Sequence, residues 1–515
     1  LVPQDPNDEP AIQLLTRMSK EWARLEAEGV CKKSAPMPLV EDDGQPFAIP
    51  SSWVWRRLGD TVEVLDSLRK PVTKGDRKPG PYPYYGASGI VDHVSEYLFD
   101  EDLVLVGEDG AKWGAGDQTA FAITGKTWVN NHAHVLRPNR SLVTDSFLIR
   151  ALVARDLQPF ITGITVPKLN QAKLVSIEIP IPPLAEQHRI VAKVDELMAL
   201  CDRLEAEQTD AETAHARLVE TLLGTLTQST DAADLAANWQ RLANHFDTLF
   251  TTESSLDALK QTILQLAVMG KLVPQDPKDE PTSELLNRIA KERARLEAEG
   301  ICKKSKPLPS VREDELSFVA PRGWSWCRLQ SAFDVRDGTH DSPKFLPKGI
   351  PFLTSKNIYG GKLDLTDLKF ISESDHLEFS KRSKVDRDDI LFAMIGSIGN
   401  PVIVDTDLVF SFKNMALFKY FSRTLSSPEY LRIFLAVIAS EMRAKAAGGV
   451  QSFVSLGTIR SQPIALPPLS EQHRIVAKVD ELMALCDALK ADLAESRARQ
   501  ARLSATLIES ALAAA

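Results

Sequence analysis

The stretch PPLAEQHRIVAKVDELMALCD occupies residues 182–202, and PPLSEQHRIVAKVDELMALCD occupies residues 467–487. The copies differ at one position, Ala185 against Ser470. A second duplication lies upstream of each: residues 1–34 and 272–305 agree at 25 of 34 positions. The offsets are 271 and 285 residues, so the material enclosed by the second pair is 14 residues longer. The enclosed sequences themselves are unlike. A chain built this way reads as two halves, each a short helical element, a variable segment and a long helix. Two copies are too few for a solenoid and suit a pseudo-two-fold molecule.

The repeated stretch has a helical period. Ile190, Val194, Leu197, Cys201 and Leu204 step by four and three residues, and Ile475, Val479, Leu482, Cys486 and Leu489 repeat the step. This is an a/d heptad seam, which needs a partner helix. The other copy is the obvious one, so the expectation is an intramolecular coiled coil; two helices of a bundle core is the plainer reading. Pro183 and Pro468 precede the helix starts, and Glu186 and Glu471 lie in the first turns, where a carboxylate suits the helix dipole. Residues 226–255 have no counterpart after the second helix and read as a linker with one short amphipathic helix. Residues 256–277 then lead a helix into Gly270 as its stop. By analogy between the copies, the natural protein is expected to carry such a helix ahead of Leu1.

At 515 residues, two to four domains are expected. No apolar run reaches the roughly 18–20 residues of a membrane span. The five cysteines, Cys31, Cys201, Cys302, Cys327 and Cys486, form no CxxC and read as reduced structural thiols, which fits a cytoplasmic setting. Net charge is −9, but it is unevenly spread. Residues 45–180 carry 15 basic and 15 acidic side chains, and 316–466 carry 19 and 15. The acid therefore sits outside the two variable segments, which are the candidates for meeting an anion.

Both variable segments open on a tryptophan pair, WVWRRL at 53–58 and WSWCRL at 324–329. Short β-like runs with Gly, Asp and Asn at the corners follow, with one helix near 428–446. The two-copy layout, the PPLxEQHRIV helices, the GKLVPQDP motif and the WxWxRL openings resemble the specificity subunit of type I restriction-modification systems. The resemblance covers essentially the whole chain. It implies an α+β fold: two globular α/β target-recognition domains joined by two long antiparallel coiled-coil helices. The divisions expected are a helical repeat at 1–44, recognition domains at 45–180 and 316–466, long helices at 181–225 and 467–515, and a linker with the second helical repeat at 226–315.

The resemblance also implies a function. Each domain would read one half of an asymmetric, bipartite target in double-stranded DNA, and the helices would set the gap and dock other subunits. Partners would be two modification (methyltransferase) subunits and restriction (motor and nuclease) subunits. S-adenosylmethionine, ATP and Mg would bind those partners and no cofactor this chain. Arg, Asn and Gln suit base edges, while Lys near glycine turns suits phosphates. On that basis the DNA-binding candidates of the first segment are Lys70, Lys74, Arg77, Lys78, Tyr82, Tyr84, Tyr85, Lys112, Trp113, Asn130 and Asn131. Those of the second are Arg336, His340, Lys344, Lys356, Asn357, Lys413 and Asn414. A solvated surface charge or a core aromatic is the plain alternative for each.

Catalytic signals are missing: there is no GxxxxGK[ST] and no Asn-Pro-Pro-Tyr. Residues 110–116, GAKWGAG, fail GxGxxG and read as a loop. His132 and His134 lack a third ligand for zinc, and Asp334, Asp337 and Asp341 read as turn residues rather than a nuclease centre. The chain is thus expected to recognise DNA without catalysis. The alternative is a non-catalytic coiled-coil adaptor that binds only protein.

Overall fold

The computed structural model describes residues 2–27, 40, 45, 47–163, 165–339, 342–446 and 453–514. The chain forms two compact units, Leu1–Thr209 and Asp210–Ala515. Cys31, His340 and Asp341 lie outside the described residues, as does most of the segment 28–46.

In the first unit, the strand Val54–Arg57 pairs antiparallel with Glu178–Ile181, setting Trp55 opposite Pro180. This base ladder brings the two ends of the domain together. Above it stands an antiparallel sheet in the order Val62–Val64, Ala133–Pro138, Leu103–Gly107, Ala120–Ile123. Leu103 to Gly107 is buried at every position, the pattern of a strand covered on both faces. One face meets the helix Asp145–Ala154 through Phe147, Leu148 and Leu152. A second sheet is ordered Gly89–Val94, Tyr82–Gly86, Lys126–Val129, Phe99–Asp100, and Tyr82–Gly86 runs parallel to Lys126–Val129.

The second unit repeats this plan with different side chains. Ser325–Arg328 pairs antiparallel with Pro463–Leu466, setting Trp326 opposite Ala465. The main sheet runs Phe333–Asp337, Met415–Tyr420, Ile390–Ala393, Gly399–Ile403. The smaller sheet runs Lys369–Ile371, Ile350–Leu353, Ser411–Phe412, again with one parallel pair, Ile350–Leu353 with Ser411–Phe412. The helix Pro428–Ala446 takes the place of Asp145–Ala154 and matches the helix expected near 428–446. The variable segments are thus alike in topology. They differ in length in one hairpin and in the segment after it, where the second domain adds the helix Glu373–Ser383. Seven residues separate the paired Tyr84 and Asp92, whereas sixteen separate Phe352 and Lys369.

The repeated stretches interlock within each unit, which explains why both had to be duplicated. Arg189 pairs with Asp8 and Arg474 with Asp279, both at 2.6 Å. Gln187 Nε2 donates to Pro182 O and Gln472 Nε2 to Pro467 O, both at 3.0 Å. The N–H of Ala11 donates to Ser52 O in one copy, and that of Thr282 to Gly323 O in the other. The LVPQDP segment therefore clamps the start of the long helix to the base ladder. Burial pushes the carboxyl groups of Glu186 and Glu471 above the usual carboxylate range. Trp53 Nε1 donates to Glu186 (3.0 Å), and Gln275 Nε2 to Glu471 (3.2 Å).

The long helices are Leu184–Gln228 and Leu469–Ala514, with 45 and 46 residues, each about 70 Å at 1.5 Å per residue. Along the first, Ile190, Val194 and Leu197 are half-buried, while Cys201 and Leu204 are exposed. Along the second, Ile475, Val479 and Cys486 are buried, Leu482 is half-buried and Leu489 exposed. In this unit the seam packs on the helix Glu253–Val268 through Leu256, Leu259 and Ile263. That helix stops as expected at Gly270, whose φ is +70° and whose site is tight: a Cβ would meet Pro321 Cγ at 2.5 Å. Lys271 N–H closes the stop on Leu266 O (2.9 Å).

The segment 226–255 departs from the expectation of one linker helix. The first long helix runs on to Gln228, and two helices follow, Ala232–Asn244 and Phe246–Leu249. Leu223, Leu226, Leu242 and Leu249 tie them to the core of the second unit, so the segment is packed structure. Among the described residues, no helix is long and apolar enough to cross a membrane.

Candidate nucleic-acid interface

In each domain the first strand of the main sheet leads away from the base ladder, and a set of loops gathers where it ends. In the first domain these are residues 65–70, 87–88, 108–113, 130–132 and 165–168. A largely buried ion network ties three of them to the strand Ala133–Pro138. Asp66 accepts from Val135 N–H (2.9 Å) and contacts His134 Nδ1 at 2.5 Å. Arg69 reaches Glu108 (2.5 Å), Asp66 (3.2 Å) and the Ala133 carbonyl (2.7 Å). Lys168 pairs with Glu108 at 2.7 Å, and His134 Nε2 meets Leu169 O at 2.6 Å. Asp66, Glu108 and His134 lie close enough to share a cation. Arg69 and Lys168 already neutralise the carboxylates, so the group works as a scaffold for the loops. His134 thus lies beside two carboxylates that are already engaged, and His132 is not part of the group.

The same backbone bonds recur in the second domain. Asn130 N–H donates to Tyr85 O and Lys413 N–H to Leu353 O, both at 3.1 Å. Glu108 N–H donates to His132 O (2.8 Å) where Met394 N–H donates to Asn414 O (3.2 Å). Leu169 N–H donates to Glu108 O (2.8 Å) where Val454 N–H donates to Met394 O (2.9 Å). Asn130–Asn131 and Lys413–Asn414, chosen separately from sequence, therefore occupy one and the same crossover loop. Asn414 takes a φ of +59°, a conformation Asn tolerates.

The remaining sequence candidates divide by burial. Lys70, Lys74, Lys78, Lys112, Asn131, Lys344 and Lys356 are exposed. Tyr82 and Tyr85 are half-buried on the smaller sheet. Several others make contacts within their own domain. Tyr84 is buried, its hydroxyl accepts from Val72 N–H (3.0 Å), and Arg77 lies 4.3 Å over its ring. Arg77 is also paired with Asp92 at 3.0 Å. Trp113 Nε1 donates to Gly107 O (3.1 Å), within the loop expected at 110–116. Asn130 is buried and its Oδ1 accepts from His132 N–H (2.8 Å). Arg336 is paired with Asp334 at 2.7 Å. Lys413 Nζ donates to Ser342 Oγ (2.8 Å). Asp334 and Asp337 lie on the strand Phe333–Asp337, correcting their reading as turn residues: alternation there sets Asp334 half-out beside Arg336 and turns Asp337 inward.

Asn357 is buried at the foot of a small hairpin, where its amide donates to Asp364 O (3.1 Å) and accepts from Thr354 N–H (2.9 Å). The hairpin pairs Ile358 with Leu363 and Tyr359 with Lys362. Gly360 and Gly361 both have positive φ, +58° and +76°, as a two-residue primed turn requires. It forms the tip of the sixteen-residue connection and presents Tyr359, 79% exposed, beside Lys362. Tyr359 was not among the candidates read from sequence; the Gly-Gly pair flanked by Tyr and Lys marks the turn that exposes it.

The model of the type I restriction modification DNA specificity domain matches twice, at residues 50–212 and 321–496. The chain belongs to this family. Each match begins just before a base ladder and ends within a long helix, so the family unit is one domain with its helix. Its role is DNA specificity in a type I restriction-modification system. The chain is 35% identical to the Type I restriction enzyme EcoAI specificity subunit of Escherichia coli, over 99% of this chain and 91% of that one. It is also 35% identical to the EcoEI specificity subunit of the same organism, over the same shares. Among solved structures, the HsdS subunit from Thermoanaerobacter tengcongensis aligns with a TM-score of 0.42 at 18% identity, covering 90% of this chain and 97% of that one.

Proposed function

We propose that this specificity subunit reads a bipartite, asymmetric DNA target, one half-site per domain, and catalyses nothing itself. One observation carries the proposal: two domains with the same base ladder and the same main-sheet order present unlike side chains on equivalent loops, each mounted on a nearly identical helix. A shared scaffold fixes where the duplex is met, and differing loops make the two half-sites differ. The first domain would use Lys70, Lys112 and Asn131, and the second Lys344, Lys356, Tyr359 and Asn414.

The repeated helices would set the gap between half-sites and dock two methyltransferase subunits and the restriction subunits. Near-identical helix sequences suit identical partners, which supports a pair. S-adenosylmethionine, ATP and Mg would be held by those subunits, in the cytoplasm. Methylation-site sequencing of DNA from cells carrying the full system tests this. Exchanging residues 45–180 for a relative's domain should change one half-site and leave the other. Loss of both would show that the domains do not read independently. Inserting four residues after Leu204 should alter the gap and spare the half-site bases; altered bases would defeat the helix as spacer.

A further inference from the structure

The second unit contains a cleft of about 570 Å³ that the recognition loops do not account for. It lies between the end of the helix Thr282–Ala298, the segment 300–306, the edge strand Phe333–Asp337 and the helix Leu456–Ser461. Lys303, Lys304, Lys306, Lys381, Arg382 and Arg460 line it. Its carboxylates are engaged: Asp334 with Arg336 at 2.7 Å and Asp337 with Arg382 at 3.3 Å. Lys381 pairs with Glu378 at 2.5 Å, and Arg460 spends Nε and Nη2 on Val335 O. Lys303, Lys304 and Lys306 are exposed and make no ion pair among the described residues. A second cavity of about 340 Å³ shares Lys303, Lys381 and Arg382 and extends to Thr339. Thr339 is bridged to Lys413 of the crossover loop. Lysine and arginine therefore recur along both cavities, from the segment 300–306 along the sheet edge to Thr339 beside the crossover loop.

We infer that this cleft is a track for the phosphodiester backbone of the duplex, extending the footprint of the second domain beyond its reading loops. The inference rests on the DNA-reading role proposed above. Three features favour phosphate. The lining is rich in lysine and arginine, and its two carboxylates are already paired with arginines. The exposed lysines are flexible point charges, which suit phosphate better than a base. Lys303 and Lys304 also belong to the duplicated sequence, EAEGICKKS matching EAEGVCKKS at 26–34. A charge common to both halves cannot tell two half-sites apart, so its use is independent of sequence.

The test uses the full chain assembled with its methyltransferase subunits. Binding to target and unrelated duplexes is followed by fluorescence anisotropy over a salt series. Removing one lysine–phosphate pairing lowers the slope of log affinity against log salt by about 0.9. The triple variant K303Q/K304Q/K306Q should lower the slope by about 2–3, weaken both duplexes by the same factor, roughly tenfold or more, and leave the methylated sequence unchanged. The arginine triple, K303R/K304R/K306R, should keep the wild-type slope. An unchanged slope in the glutamine triple would overturn the inference. So would loss of subunit assembly with DNA binding by the chain intact, which would make the cleft a seat for an acidic protein surface. A wild-type complex that bound no duplex would defeat the DNA-reading role itself, and the track with it.

Discussion

Residues 184–202 and 469–487 are almost the same sequence, yet their surroundings differ. In the second copy the helix Glu253–Val268 covers Ile475, Val479 and Cys486, and Lys490 reaches across to Asp257 at 3.1 Å. Lys260 and Asp487 add a further pair. In the first copy Ile190 and Val194 are half-buried and Cys201 is exposed; no equivalent cover is found among the described residues of that unit. A heptad pattern thus states that a helix wants a neighbour. Which neighbour it finds, and how completely, is decided by tertiary structure.

The largest test of this contrast is the paired substitution Ile475→Ala and Ile190→Ala. The buried isoleucine should cost about 2–5 kcal/mol and the half-buried one about half of that or less, read from denaturant melts. Equal losses would break the comparison. Thiol labelling should sharpen it. Burial pushes the Cys486 thiol up, so Cys201 should react with a maleimide or disulfide reagent at least about tenfold faster. Mass spectrometry of the labelled peptides reads the order. The clamps, by contrast, should be alike. Double-mutant cycles on Asp8 with Arg189 and on Asp279 with Arg474 should give the same coupling, about 0.5–1 kcal/mol, because both pairs are part-exposed with one geometry.

The smallest effect concerns pH. Burial raises the Glu471 and Glu186 carboxyls in the folded chain, so the fold binds protons more readily than the unfolded chain does. Their contribution to stability should therefore fall as pH rises from the ordinary carboxylate range through the raised value. Glu471→Gln and Glu186→Gln should each flatten that slope, seen in melts between about pH 4 and 7. Glu315 behaves oppositely: the Arg328 guanidinium holds its carboxyl down at about 2, so its stabilisation is present above the ordinary range and lost as pH falls toward that value.

The long helices, the Gly270 stop and the helix at 428–446 were legible because their signals are local and periodic. The common topology of the variable segments was not. Its defining parallel pair joins Tyr84 to Trp128 in one domain and Phe352 to Ser411 in the other, so the contacts are distant and the side chains differ. Among the candidates, most lysines stayed on the surface, since lysine is almost never fully buried. Asn130, Asn357 and Tyr84 went inside because backbone groups satisfy their polar atoms there. Residue type alone cannot separate a polar side chain that meets a base from one that meets a carbonyl.

The base ladder isolates what hangs from it. Because Val54–Arg57 and Glu178–Ile181 pair with one another, as Ser325–Arg328 and Pro463–Leu466 do, each domain leaves and rejoins the chain at adjacent points. Growth of a loop, such as the nine extra residues of the second hairpin, is absorbed above that junction and never shifts the phase of the helix below. Such a molecule can lengthen, shorten or replace what it reads with while its handle stays unaltered.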